Sequence, residues 1–394
     1  MKILHLADLH ISGKTIGDIE RAFAFLLQEV VSRHIEACVI AGDTWDTATP
    51  LHDPCVGRAM ELIKAMADRV PTLILQGTPG HDRPGSVDHF RRLTDSVFVA
   101  TEPCVVGLCP KTAEYPGDWC ALALDDTRLD QMEALFYCLP SPNPASKAVQ
   151  DAGGIFNWAQ EWLWKCPRAA DTVPVVVVAH GSVAGSITET GRALLTDVEY
   201  TDAMLYGTDA GAIMLGHIHK HQVFTNHLGQ RIAYPGSLIA LHFGDEGPHG
   251  GIVWEMDSNR VVEMEHVPVP GPRYTDLVFD GPPEMAVIEE AARTMDANTR
   301  VRVRWQVDEE HQSAVDREAI QALLQGAGQV KLDGVINPVQ RVRTPGIGAV
   351  SMADRVGRWA DNTNSTDKLD VLLGNLTILE SGSTVEEIVE GVLA

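Results

Sequence analysis

Lys2-Ile-Leu-His-Leu-Ala-Asp8-Leu-His10 opens the chain with a run of strand length, rich in leucine and ending in an aspartate and a histidine two positions apart. In extended backbone, residues i and i+2 project to the same side. The end of this strand therefore presents a carboxylate and an imidazole together, a natural pair of metal ligands. Asp-x-His alone is a short pattern that recurs by chance, so its weight depends on whether the rest of the chain repeats it.

Later segments do repeat the design. A helical pattern from about Asp18 to Arg33 carries Phe23, Leu26, Leu27, Val30 and Val31 on one face. Ala37-Cys-Val-Ile-Ala-Gly-Asp43 is a second apolar run, ending in Gly-Asp. A helix over about Pro54–Arg69 leads to Thr72-Leu-Ile-Leu-Gln76 and the loop Gly77-Thr-Pro-Gly-His81-Asp82. Strands apolar on both faces, alternating with helices, predict an α/β layered core with parallel strands. In such sheets ligands bind beyond the C-terminal ends of the strands, where these polar residues stand.

Val97–Pro144 reads as short strands and loops elaborating the sheet edge. A helix near Phe156–Lys165 carries Trp158, Trp162 and Trp164, expected to pack rather than to stack on a ligand. Val173-Pro-Val-Val-Val-Val-Ala-His180, Ala212-Ile-Met-Leu-Gly-His217-Ile-His219 and Arg231-Ile-Ala-Tyr-Pro-Gly-Ser237 then continue the pattern. Asp8, His10, Asp43, His180, His217 and His219 all come directly after apolar strands, with His81-Asp82 between them. A mixed carboxylate and imidazole set suits Mn, Fe or Zn better than Ca or Mg. With one bridging carboxylate such a set would hold two ions ~3.5–4 Å apart, the spacing that clamps a phosphoryl group.

The 394 residues are 45% apolar and carry 31 Lys+Arg against 54 Asp+Glu, a net charge of −23. That balance argues against a general nucleic-acid or anionic-membrane surface, though not against a local basic patch. A strand beginning at Lys2 leaves no room for a signal peptide, and no 18-residue apolar stretch predicts a membrane span. Seven cysteines without a C-x-x-C suggest reduced thiols in a cytoplasmic protein.

Pro268-Val-Pro-Gly-Pro272 is a stiff break and the expected domain boundary. Beyond it a βαβαβ-like pattern runs through Asp276–Phe279, Met285–Met295, Arg300–Val307, Ala314–Leu324 and Gln329–Val335. In its central strand Val301, Val303, Trp305 and Val307 face one way, and Arg300, Arg302 and Arg304 the other, an arginine stripe suited either to solvent or to phosphates. After the Pro345-Gly break, a helix over about Ser351–Trp359 and a polar loop over Asp361–Thr366 are expected. A terminal helix then starts at the capping box Thr384-Val-Glu-Glu387, with Val385, Ile388, Val389, Val392 and Leu393 on its apolar face. The division expected is 1–270, 271–345 and 346–394.

Taken together, D-x-H, G-D-x-x-D, the loop ending in His81-Asp82, V-V-A-H-G and G-H-I-H resemble the calcineurin-like metallophosphoesterase superfamily over Asp8–His219. Ile3–His10, Ala41–Thr47, His180–Gly185, Gly216–Gln222 and Tyr234-Pro-Gly-Ser-Leu238 look like its SbcD-type nuclease branch of double-strand-break repair, of chromosomal or phage origin. The resemblance implies a metallophosphoesterase core, a smaller α+β capping domain after Pro272 and a C-terminal helical tail. It implies two divalent ions, Mn above all, with Asp8, His10 and His219 around one, Asp43 bridging, and His180 and His217 on the other. His81 matches the catalytic histidine and Asp46 the residue that orients it. Implied activities are 3′→5′ exonuclease and endonuclease action on double-stranded DNA ends or hairpins, with an SbcC-type coiled-coil ATPase, homodimerisation, no membrane, and Arg300, Arg302 and Arg304 as DNA contacts. The sequence departs from the family at Gly80, where an asparagine ligand of the second ion is expected; a water, a backbone carbonyl or Thr78 is left to fill that position. Two alternatives stand beside this reading: a small-substrate phosphodiesterase or phosphatase, and a DNA-end scaffold with weakened catalysis.

Overall fold

The computed structural model describes residues 1–110, 119–167, 172–188, 191–194, 199–245, 247–338 and 351–381. The Pro345-Gly break and the terminal helix expected from Thr384 lie outside these residues. The chain divides into two compact units. One comprises Met1–Phe279, Pro283–Arg304 and Asp316–Asp333; the other comprises Asp280–Pro282, Trp305–Val315 and Gly334–Ala394.

In the first unit, β1 (Lys2–Leu6), β2 (Ala37–Ala41), β3 (Thr72–Leu75) and β4 (Val97–Ala100) pair in parallel in chain order. The connections from β1 to β2 and from β2 to β3 contain α1 (Ile16–Ser32) and α2 (Pro54–Ala67). A second sheet is built from β5 (Cys104–Leu108), β6 (Trp119–Leu122), β7 (Ala134–Leu139), β8 (Val175–His180), β9 (Ala212–Gly216), β10 (Gln222–Thr225) and β11 (Arg231–Tyr234). Its spatial order is β10-β11-β9-β8-β7-β5-β6. The short helices α3 (Lys147–Asp151), α4 (Ile155–Lys165) and α5 (Asp202–Tyr206) lie in its connections. β12 (Gly250–Asp257) and β13 (Arg260–Pro268) then return to the first sheet, antiparallel beside β1.

The α/β layering expected from the sequence holds, with one refinement. The parallel strands fall into two sheets, and antiparallel strands close three of the four edges, the parallel β4 forming the fourth. Side-chain alternation explains why both sheets are buried on both faces. Ile3, Val39 and Leu73 turn inward to a shared core with Phe136, Val176 and Met214 of the second sheet. Leu4, Leu6, Ile40 and Ile74 turn outward under α1 and α2, joining Phe23, Leu26 and Ile63. Val175, Val177 and Leu215 do the same on the far face with Leu163 of α4. Each such side chain contributes roughly 1.5–3 kcal/mol on burial, so the layers are held by apolar area rather than by the surface ion pairs.

β14 (Arg273–Asp280), β15 (Thr299–Asp308) and β16 (Gln329–Asn337) form a third sheet with β15 in the middle, and α6 (Met285–Ala292) and α7 (Arg317–Leu323) lie between them in sequence. Burial along β15 alternates as its sequence predicts, with Val301, Val303, Trp305 and Val307 inside. α8 (Met352–Asn362) and α9 (Leu369–Glu380) come next; α9 was not foreseen. No helix among the described residues is long and apolar enough to cross a membrane.

Candidate metal centre

β1, β2, β8 and β9 all end at one edge of the paired sheets, and the candidate ligands sit just past those ends. Hydrogen bonds carry the β1–β2 pairing beyond the strands: Asp8 N–H donates to Gly42 O (3.0 Å), His10 N–H to Asp43 O (3.1 Å) and Ile11 N–H to Thr44 O (2.9 Å). Asp8, His10 and Asp43 are thereby fixed side by side. Their backbones are left-handed, with φ of +49°, +45° and +50°, and His217 stands at +102°. Non-glycine residues pay about 1–3 kcal/mol for such conformations, which persist only where surroundings enforce them and which cluster at functional sites.

The side chains converge in sets. Asp8, His10 and His219 offer one ligand atom each, all within 4.8 Å of one another, and so do Asp43, His180 and His217. His10 Nε2 and His219 Nε2 face each other at 3.0 Å. His217 N–H donates to both carboxylate oxygens of Asp8, at 2.9 and 3.0 Å. His180 Nδ1–H donates to the carbonyl of Ala41 (2.7 Å), which fixes the ring and turns Nε2 toward Asp43 Oδ2, 3.3 Å away. His180 Nε2 and His219 Nδ1 are buried nitrogens without a hydrogen-bond partner among the described residues. Each trio thus offers one carboxylate and two imidazoles, a donor set that fits a divalent transition ion. The residues present fit two divalent ions.

The electrostatics agree with such a site. Burial opposes a charge on His180, but Asp43 and then Asp8 push its pKa up to about 10. Burial likewise opposes charge on Asp43, yet His180 and the other nearby histidines hold it well below the usual carboxylate range. Burial raises Asp8 to about 7 and lowers His219 to about 3, His10 adding to the latter effect. Without cations, a proton on His180 offsets the charge of Asp43.

His81 and Asp46 lie at the mouth, and with His10 they form a third convergent group. His81 Nδ1–H donates to the backbone carbonyl of Asp46, while Nε2 points inward, 4.0 Å from Asp43 Oδ2. The Asp46 carboxylate instead faces His10 Nδ1 at 3.7 Å. Asp46 therefore holds one histidine by its main chain and the other by its side chain.

Several supporting residues stand in stretches the sequence singles out, but their contacts are visible only in the fold. Thr78 donates to Asp43 Oδ1 from both its N–H (2.6 Å) and its hydroxyl (2.9 Å). Asp82, fully buried, accepts from Thr44 N–H (3.2 Å), Trp45 N–H (3.1 Å) and Gly77 N–H (2.8 Å), tying the loop after β2 to the loop after β3. Tyr234 accepts from Val183 N–H and donates to Gly181 O, both at 2.9 Å, bracing the turn after His180. Ser237 N–H and Leu238 N–H reach the carbonyls of His219 and Asp8 at 3.0 and 3.3 Å, which gives the Tyr234–Leu238 stretch a role as a strap. Close packing also dictates glycine: a Cβ on Gly77 would lie 2.1 Å from the nitrogen of Asp43, and one on Gly216 2.0 Å from the carbonyl of Ala41. At Gly80 a Cβ would meet nothing within 4 Å.

The arginine stripe lies on β15. Arg300 approaches Asp18 (3.4 Å), Arg302 pairs with Asp276 (Nε–Oδ1 3.0 Å) and covers the Phe243 ring at 4.5 Å, and Arg304 lies 3.8 Å from Asp276.

No family model matches the chain. It is 36% identical over 95 residues to the DNA double-strand break repair protein Mre11 of Aeropyrum pernix, covering 22% of each chain. It is 26% identical over 264 residues to the D subunit of the SbcCD nuclease of Bacillus subtilis, covering 63% of this chain and 64% of that one. The chain thus spans less than two thirds of the length of either relative. A dimetal phosphatase from Danio rerio aligns with 67% of this chain and 95% of its own, at 10% identity and a TM-score of 0.42. The two sequence relatives bear out the resemblance to metallophosphoesterases and to their SbcD- and Mre11-type members.

Proposed function

We propose that this chain is a Mn-dependent DNA nuclease of the SbcD and Mre11 type, hydrolysing phosphodiester bonds near double-strand ends or hairpins. The observation that carries the reading is the pair of convergent trios at one sheet edge, each with one carboxylate and two imidazoles. Two bound ions would be held by Asp8, His10 and His219 and by Asp43, His180 and His217, lending Lewis acidity to a phosphate and acidifying water. Thr78 fixes the Asp43 carboxylate by two hydrogen bonds to one oxygen, leaving the other toward His180 and His81. His81, with Nδ1–H given to the Asp46 carbonyl, presents Nε2 to the site to stabilise developing charge or to protonate a leaving oxygen. Asp46 places both His10 and His81 and acts as a positioning residue.

In this reading residues 271–345 form the capping domain, 346–394 hold a partner-binding segment, and the protein works in the cytoplasm as a homodimer with an SbcC-type coiled-coil ATPase. A basic partner would reconcile DNA work with a net charge of −23. The test is digestion of linear duplex and hairpin DNA with Mn, with and without that ATPase; cleavage supports the proposal, and DNA left intact under all four conditions overturns it. One observation favours the small-substrate alternative: Arg300, Arg302 and Arg304 each have a carboxylate neighbour. A faster rate on a chromogenic phosphodiester than on duplex ends would decide for that alternative.

A further inference from the structure

The loop that carries His81 has two faces. Thr78 and His81 turn toward Asp43, whereas Pro79 and Pro84 line a groove of about 580 Å³ on the other side, with Gln76 and Trp158 also in its wall. Pro79 and His81 are two residues apart, so their Cα atoms lie within ~7.6 Å. That is about the rise of two stacked nucleotides at ~3.4 Å each.

The chemistry of the wall selects among ligands. Prolines have no N–H and offer flat apolar faces. Trp158 packs partly on the core beneath the second sheet, as expected, yet it also lines the groove. Gln76, only 8% exposed, also lines the groove and brings a side-chain amide to its wall. Its adjacent donor and acceptor match the edge of a base, as in the paired contacts of glutamine with adenine. Asp88 and Glu102 also line the groove, so it repels phosphate and favours a neutral group. Volume, apolar walls, an aromatic residue and a side-chain amide together describe a nucleoside-sized site.

We propose that this groove receives an unstacked nucleobase next to the scissile phosphate, stacked on Trp158 and hydrogen-bonded by Gln76. The placement beside a phosphate rests on the phosphodiesterase reading; base binding itself does not. The substrate strand must then be frayed or single at the site, because a paired base cannot enter.

Two measurements on the full chain separate the claims. With Mn, compare a nucleoside 5′-(p-nitrophenyl phosphate) with methyl p-nitrophenyl phosphate, which lacks a base. Trp158→Ala and the volume-keeping Gln76→Met should each reduce the preference for the nucleoside ester roughly tenfold, through KM, and Trp158→Phe should restore most of it. An unaltered preference overturns the proposal. Independently of catalysis, saturation-transfer NMR with adenosine should show signals on the base protons that Gln76→Met weakens. If neither ester is hydrolysed, the phosphodiesterase reading fails while the adenosine signals still test the groove. Absence of those signals from the wild-type chain overturns base binding.

Discussion

At the scale of single residues, the centre depends on close backbone approach and enforced strain. Gly77 and Gly80 belong to one loop yet differ sharply. Gly77→Ala would drive a methyl group into the backbone of Asp43, and should cost at least about 2 kcal/mol and weaken metal binding. Gly80→Asn has open space at its Cβ and should fold normally. Thermal melts with calorimetric metal titrations of both variants check the contrast. The protonation states carry a second prediction. His180 has its pKa raised to about 10, so it is protonated at pH 7 and must lose that proton to bind an ion through Nε2. Metal uptake should therefore release protons, and affinity should rise with pH between 7 and 9. Calorimetry in buffers of different ionisation enthalpy measures the release; pH-independent affinity would contradict this assignment. In the metal-free chain the sign for stability is opposite. A raised imidazole pKa stabilises fully below the unfolded value near 6.5 and is lost as pH climbs toward 10.

At the scale of elements, loops rather than strands decide how exactly the ligands meet. Asp82 is the clearest case. Its buried carboxylate is raised to about 6 by burial and by the charge of Asp43, while three backbone N–H groups pull it back. Asp82→Ala would leave those donors unpaired and should cost about 3 kcal/mol or more, read from denaturant midpoints. The strands themselves were legible because Ile3–Leu6 (His5 apart), Cys38–Ala41 and Val175–Ala179 are apolar without alternation, as a doubly covered parallel sheet requires. The ligand candidates were legible because each ends such a run. The contacts of Thr78 and Asp82 were not, since they join loops distant in sequence. The split into two sheets escaped for a related reason: β6 and β10 are short edge strands, and β5 a short strand beside an edge, whose partners periodicity cannot name. α9 escaped because Leu369–Glu380 has apolar residues all round rather than a single stripe.

At the scale of the whole molecule, a net charge of −23 makes any DNA contact a local matter. Arg302 and Arg304 both border Asp276, so that one carboxylate holds down part of the stripe. If the stripe meets phosphates as the resemblance implies, Asp276→Asn should tighten DNA binding and steepen its salt dependence by about one phosphate contact, as fluorescence anisotropy across a salt series would show. Unaltered binding would remove the stripe from the interface and leave DNA holding to a partner. The central claim is that Asp8, His10 and His219 on one side, and Asp43, His180 and His217 on the other, hold two ions close enough to act on one phosphate. Electron paramagnetic resonance of the full chain titrated with Mn tests it most directly. The account predicts a spin-coupled pair at two equivalents, reduced to an isolated-ion spectrum by His180→Ala; one uncoupled ion per chain at saturation, or none, would contradict it.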